Sequence, residues 1–325
     1  MFRNRIFKIT SNKEFEQLTL EIFRYQAVKN PIYNQFLEML KFDTSSVKQI
    51  SQIPFLPIYF FKRFEIITGK NNSEETFSSS GTTGTIRSKH FVTDLSVYEE
   101  SYIKSFELFY GSIKDYTILA LLPSYLEREG SSLIYMVDDF IKKTHNSDSG
   151  FYLNDLDKLA KKLVELNLKG TKVLLIGVTY ALLDLIEKNQ FKLQNMIVME
   201  TGGMKGKRRE MIREELHEKL CDGFGVTEIH SEYGMTELLS QAYSKGNGIF
   251  ETSPWMKILI RDTEDAFSYL PPYKSGGINV IDLANYNSCS FIATQDLGKL
   301  HSDNTFEVLG RFDHSDIRGC NLLIN

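Results

Sequence analysis

The chain has 325 residues, 42% hydrophobic and 25% charged, an ordinary globular composition that excludes a low-complexity or disordered polymer. A net charge of −4 advertises no nucleic-acid-binding surface, and the longest apolar stretch, 173–186, is too short to span a bilayer and contains Asp184. Three widely spaced cysteines argue against a disulfide framework and for reduced thiols in a cytoplasm, and six scattered histidines give no zinc-like spacing.

In chain order, Arg3, Arg5 and Lys8 make the N-terminus basic, but no apolar run follows, so no signal peptide is expected. Residues 12–42 carry Phe15, Leu18, Ile22 and Phe23 at helical intervals, and Ile32, Phe36 and Leu40 continue after Pro31, which predicts a helical lead-in over 1–60. From about Phe64 strands and helices alternate. Strands are predicted at 116–122, 173–176 and 196–199, and helices at 131–143, 153–168, 181–188 and 207–220. Such alternation implies parallel sheets flanked by helices, here an α/β core over 61–255. Past Met256 the runs 257–260, 278–283, 290–293 and 306–309 are strand-like with turns between them, predicting a small β-rich subdomain over 256–310 and a short tail over 311–325. The 23 Phe and 16 Tyr are many for this length; they serve either as core or as the lining of an apolar pocket.

The most informative run is Ser78-Ser79-Ser80-Gly81-Thr82-Thr83-Gly84. Its glycines let the backbone turn and its N–H and hydroxyl groups make a cradle for phosphate oxygens. The spacing fits neither a Walker A loop nor a dinucleotide fingerprint. Taken alone, the run reads equally as a flexible linker. Arg87 and Lys89 follow within eight residues of Gly81, and His90-Phe91-Val92 starts a strand, which favours the phosphate reading.

This run resembles the phosphate loop of the adenylate-forming enzymes, the superfamily of acyl-CoA ligases and luciferases. Three further elements stand downstream in the family's order. Glu232-Tyr233-Gly234-Met235-Thr236-Glu237 is similar to Tyr-Gly-x-Thr-Glu. Thr294-Gln295-Asp296-Leu297-Gly298 is similar to Thr-Gly-Asp-Leu-Gly, with Gln295 in place of a glycine. Gly310-Arg311-Phe312-Asp313 is similar to the Gly-Arg-x-Asp hinge. The resemblance implies ATP and Mg²⁺ as cofactors and a site residue by residue: Ser79, Ser80, Gly81, Thr82, Thr83 and Gly84 for phosphates, and Gly202, Gly203, Tyr233 and Gly234 around adenine. Thr236 would meet the α-phosphate, Glu237 the metal, Asp296 the ribose hydroxyls, and Arg311 ribose or phosphate. The implied chemistry is attack of a carboxylate on the α-phosphate, with Arg87 or Lys89 stabilising the developing charge.

Most of these ligases continue about a hundred residues past the hinge into a lid-like domain, whereas this chain ends fourteen residues after Arg311. A narrower resemblance, to the LuxE-type acyl-protein synthetases, fits that shorter form. It is carried by 121–128, by Ser131-Ser132-Leu133, by 201–208 and by Arg318-Gly319-Cys320. It implies adenylation of a fatty acid and transfer of the acyl group to Cys320, then to a reductase or acyl-carrier acceptor. Cys221 and Cys289 read instead as small buried hydrophobes. Two other readings stay open: a ligase using free CoA or a carrier-protein thiol, and a nucleotide-binding scaffold without catalysis.

Overall fold

The computed structural model describes residues 2–80, 86–123, 129–202 and 211–312. The chain divides into two compact units, one of Met1–Ser101, Thr236–Ser240 and Glu251–Asn325, the other of Tyr102–Met235 and Gln241–Phe250.

The first unit opens on the expected helices. Ser11 accepts the Glu14 N–H and starts the helix Asn12–Lys29, which buries Phe15, Leu18, Ile22 and Phe23. Asn30 is extended and stops it. The Asn30 side chain then caps the helix Pro31–Met39, whose first residue is the proline that needs no N–H partner. Phe23, Tyr33 and Phe55 pack on Phe291 with ring centroids 6.0–6.1 Å apart, which seats the helices on the β-rich part. There Met256–Arg261, Ser275–Asp282, Phe291–Leu300 and Phe306–Arg311 pair antiparallel in that order, and Leu56–Pro57 joins Phe291–Leu300 in parallel. The strand expected at 290–293 runs on to Leu300. The extension is hidden from a hydrophobicity count because its buried face is polar or small. Thr294, Asp296 and Gly298 alternate with more exposed neighbours, and the Thr294 hydroxyl donates to the Ile278 carbonyl at 2.8 Å. Glu75–Ser78 and Lys89–Val92 form a separate hairpin in register Ser78 to Lys89.

The second unit holds the parallel sheet. Its order is Gly150–Phe151, Thr117–Leu121, Val173–Val178, Met196–Thr201 and His230–Tyr233, all parallel, then Ala242–Ser244 antiparallel. Thr117–Leu121 and Val173–Val178 are buried throughout, the pattern of strands covered on both faces. The connecting helices are Ser132–Thr144, Leu156–Leu168, Thr179–Lys188 and Arg213–Phe224. The helix expected at 207–220 is corrected in register. Met211 and Ile212 are not helical, and the element starts at Arg213, which puts Glu214 and Glu215 in the first turn where negative charge meets the helix dipole. A further helix, Leu95–Tyr110, was not read from the sequence, although Tyr98, Tyr102 and Phe106 recur every fourth residue and are buried.

Candidate active site

Within the first unit, four side chains from four separate stretches of sequence converge. Asp296 and Arg311 face each other across the antiparallel pair, with Arg311 Nε 3.1 Å from Asp296 Oδ1. Asp296 is buried, while the Arg311 side chain is 80% exposed and keeps most of its guanidinium in solvent. An ion pair so placed adds little stability, roughly 0–1 kcal/mol, and leaves the cation available to an incoming anion. Glu237 lies close enough to feel both charges and is only 5% exposed. Burial pushes its carboxyl above the usual range; a hydrogen bond from Ser88 and the more distant Arg311 charge work against that rise, and Asp296 adds to it. Among the described residues no lysine, arginine or histidine forms an ion pair with Glu237.

Ser88 connects this cluster to the Ser/Gly run. Ser79 donates its N–H to the Ser88 carbonyl and accepts the Ser88 N–H on its hydroxyl, both at 3.0 Å, closing the neck of the loop. Ser79 is half-buried, and Ser80, Arg87 and Lys89 are exposed. Gly81, Thr82, Thr83 and Gly84 lie outside the described residues, as do Gly203 and Cys320. Thr236 is half-buried, with its carbonyl 2.9 Å from His90 Nδ1. A carbonyl only accepts, so that nitrogen carries the proton; burial pushes the His90 pKa down to about 4, which keeps the ring neutral.

A buried, raised carboxylate without a partner cation suits a divalent ion. Among the described residues no group of three or more His, Cys, Asp or Glu forms a cage. That is the donor set of Mg²⁺, which takes one or two carboxylates and fills its remaining positions with water and substrate phosphates.

Within the second unit, the remaining candidates lie at the carboxyl ends of parallel strands, where α/β sheets bind ligands. Gly202 follows Met196–Thr201 and is exposed, with φ +75°, a conformation open to glycine and strained for other residues. Tyr233 ends its strand nine-tenths buried, its ring 6.0 Å from Phe250. Gly234 is exposed; a Cβ there would come within 2.4 Å of Glu232 Oε1. Glu232 in turn accepts the Thr201 hydroxyl at 2.6 Å, tying the two strand ends together.

Beside that turn lies a buried charge centre that no sequence motif announces. Glu200 accepts from Arg213 at 2.8 Å, Ser231 at 2.8 Å and Thr179 at 3.1 Å, and His217 Nε2 stands 3.7 Å away. Burial pushes the Glu200 carboxyl up, but the His217 contact, the Arg213 charge and Ser231 outweigh it and hold the group below the usual range. Ser88, Glu200 and Arg213 belong to none of the four motifs, and only long-range contact reveals them.

A family model described as acyl-protein synthetase, LuxE, matches residues 7–325. A search of the curated proteins gives no match. Among solved structures, a 2-hydroxyisobutyryl-CoA ligase in complex with 2-HIB-AMP and CoA superposes with a TM-score of 0.68 at 11% identity, covering 94% of this chain and 72% of that one. ATP-bound MatB from Rhodopseudomonas palustris gives 0.54 at 17% identity over 73% of this chain and 47% of that one. MenE, the O-succinylbenzoate coenzyme A synthetase of Bacillus subtilis, in complex with ATP and magnesium ion, gives 0.51 at 20% over 73% and 49%. The fold is therefore that of the adenylate-forming enzymes, and the chain spans about half the length of the MatB and MenE structures. Among the described residues no helix is long and apolar enough to cross a membrane.

Proposed function

The chain belongs to the LuxE acyl-protein synthetase family, and from that premise we propose that it activates a fatty acid with ATP and passes the acyl group to its own Cys320. The observation that carries the reading is Glu237, a buried carboxylate without a paired cation beside Asp296, Arg311 and the neck of the Ser/Gly loop.

In this mechanism Asp296 accepts the ribose hydroxyls and Arg311 holds ribose or phosphate. Thr236 meets the α-phosphate, and Ser79, Ser80, Gly81, Thr82, Thr83 and Gly84 hold the phosphate tail. For the base, the family resemblance assigns Gly202, Gly203, Tyr233 and Gly234. Mg²⁺ held by Glu237 supplies positive charge where two anions must approach. The acid's carboxylate oxygen attacks the α-phosphorus, the bond to the bridging oxygen breaks, and pyrophosphate leaves. Arg87 or Lys89 offsets the charge that builds on the phosphoryl oxygens. The thiolate of Cys320 then attacks the acyl carbon of the mixed anhydride and AMP departs. The described cysteines are poorly suited to that role, because burial raises the Cys221 thiol and pushes Cys289 up to about 12. A reductase or carrier protein is the expected final acceptor.

The structural neighbours named as CoA ligases favour one rival, in which external CoA takes the acyl group. Labelling separates the two. Wild-type protein incubated with ATP, Mg²⁺ and radiolabelled fatty acid is expected to carry label that neutral hydroxylamine releases. Cys320→Ser is expected to keep acid-dependent ATP–pyrophosphate exchange and to lose the label. Exchange without label on the wild-type protein, with labelled acyl-CoA released once CoA is added, gives the CoA reading precedence, and undiminished labelling of Cys320→Ser puts the thioester on another residue. Absence of exchange with every carboxylic acid tried removes both and leaves a nucleotide-binding scaffold.

A further inference from the structure

Glu237 sits in Thr236–Ser240, a five-residue stretch that belongs to no helix or strand. With no backbone ladder to hold it, its placement falls to side chains from elsewhere in the same unit. The Thr236 carbonyl accepts from His90, and the Glu237 carbonyl accepts from Asn285 Nδ2 at 2.8 Å. The Leu239 and Ser240 N–H groups both donate to Asp282 Oδ2, at 2.8 and 3.0 Å, and the Ser240 hydroxyl donates to Asp282 Oδ1 at 2.6 Å.

Two of these anchors come from one turn. Asp282 ends the strand Ser275–Asp282 and caps the 3-10 turn Leu283–Asn285 by accepting the Ala284 N–H, and Asn285 ends that turn. The Asn285 carbonyl accepts from Gln26 on the helix Asn12–Lys29, so the turn is itself held. Both anchors are fully buried. Among the described residues no cation pairs with Asp282, whose carboxylate is sustained by neutral donors alone, and burial of this kind is unfavourable. An apolar pair of the same size would avoid that cost and leave the stretch unplaced.

We propose that Asp282 and Asn285 are positioning residues: acting from one turn, they fix Thr236–Ser240 and thereby aim the Glu237 carboxylate and Thr236 at the metal and the α-phosphate. The proposal rests on the reading of Glu237 given above. A misplacement of about 1 Å at a reacting centre is enough to lower a rate by roughly 10–100-fold, so a clamp of two residues can control the site without touching substrate.

The test uses the full chain and Asn285→Leu, which keeps volume but removes the donor, with Asp282→Ala, Asp282→Asn and Glu237→Gln. Calorimetry reads how much Mg²⁺ tightens ATP binding, and exchange kinetics read kcat and the KM for Mg·ATP. Asn285→Leu and Asp282→Ala are expected to lose about tenfold or more of the Mg²⁺-linked tightening and to raise KM while kcat falls, with ATP binding in EDTA retained. Asp282→Asn, whose remaining oxygen can still accept the Leu239 and Ser240 N–H groups while its NH2 faces the Ser240 hydroxyl and leaves the Ala284 N–H without its acceptor, is expected to recover part of the loss. A purely structural role would lower the active fraction, and so kcat alone, with KM and the tightening as in wild type. That result overturns the proposal while Glu237→Gln remains impaired. If Glu237→Gln itself keeps the full Mg²⁺-linked tightening, the reading of Glu237 falls and the clamp with it.

Discussion

Glu200 in one unit and Glu237 in the other are buried almost equally, 6% and 5% exposed, yet their carboxyls move in opposite directions. Around Glu200 the fold provides a guanidinium, two hydroxyls and an imidazole, and the charge is held below its usual range. Around Glu237 it provides one hydroxyl and a second acid, with the Arg311 guanidinium bonded to Asp296 instead. Burial alone therefore does not mark a functional carboxylate. What separates a structural ion pair from a site is whether the fold completes the charge, and at Glu237 completion is left to a ligand.

The largest expected effect follows from that contrast. Glu237→Ala and Asp296→Ala should each lower ATP–pyrophosphate exchange by about 2–4 kcal/mol of barrier, roughly 30–1000-fold, with little change in melting temperature. Wild-type exchange in both variants would mean that the incomplete carboxylate is not the site. At Glu200 the prediction reverses. Glu200→Ala leaves Arg213 and the Ser231 and Thr179 hydroxyls without their acceptor. It should cost about 2–3 kcal/mol of folding stability, less than a fully buried pair because the Arg213 side chain is 29% exposed. A chemical-denaturation midpoint equal to wild type, together with lost exchange, would turn Glu200 from a support into a participant and erase the distinction.

The same contrast explains what was legible in the sequence. Glu237, Asp296 and Arg311 sit inside short motifs, and the first unit brings these three together although 74 residues separate the outer two. The strands Val173–Val178 and Thr117–Leu121 were equally plain, because burial on both faces leaves a nearly continuous hydrophobic run. Ser88, Asp282 and Asn285 were not, since a serine or an asparagine has no period or spacing that announces a partner about 40 to 150 residues away. Strand Phe291–Leu300 is longer than its hydrophobic pattern for a related reason, as its inward face carries Thr294 and Asp296 where a pattern count expects apolar residues.

The smallest effect concerns pH and two groups that hold the Thr236–Ser240 segment. Burial depresses His90 from its ordinary 6.5 to about 4, and raises Asp282 from 3.8 to about 6. The His90 contribution to stability is present above pH 6.5 and is lost as pH falls toward 4, because the unfolded chain takes up the proton first. Asp282 works the other way: its contribution is present below pH 3.8 and is lost as pH rises through 6. Going from pH 7.5 to 5, His90 should therefore remove about 2 kcal/mol and Asp282 restore about 1, leaving a small net loss. Single substitutions unmask each half. Relative to wild type, Asp282→Asn should deepen the acid loss of stability over that range by about 1 kcal/mol, and His90→Gln should lessen it by about 2. In the other unit His230 is likewise depressed to about 4 and Glu200 is lowered, so both of those groups lose stability in acid with the same sign. Denaturation midpoints at the two pH values decide the matter. Parallel shifts in wild type, Asp282→Asn and His90→Gln would show that these two groups do not oppose each other, and that the segment carrying Glu237 is held by its hydrogen bonds without any coupling to protons.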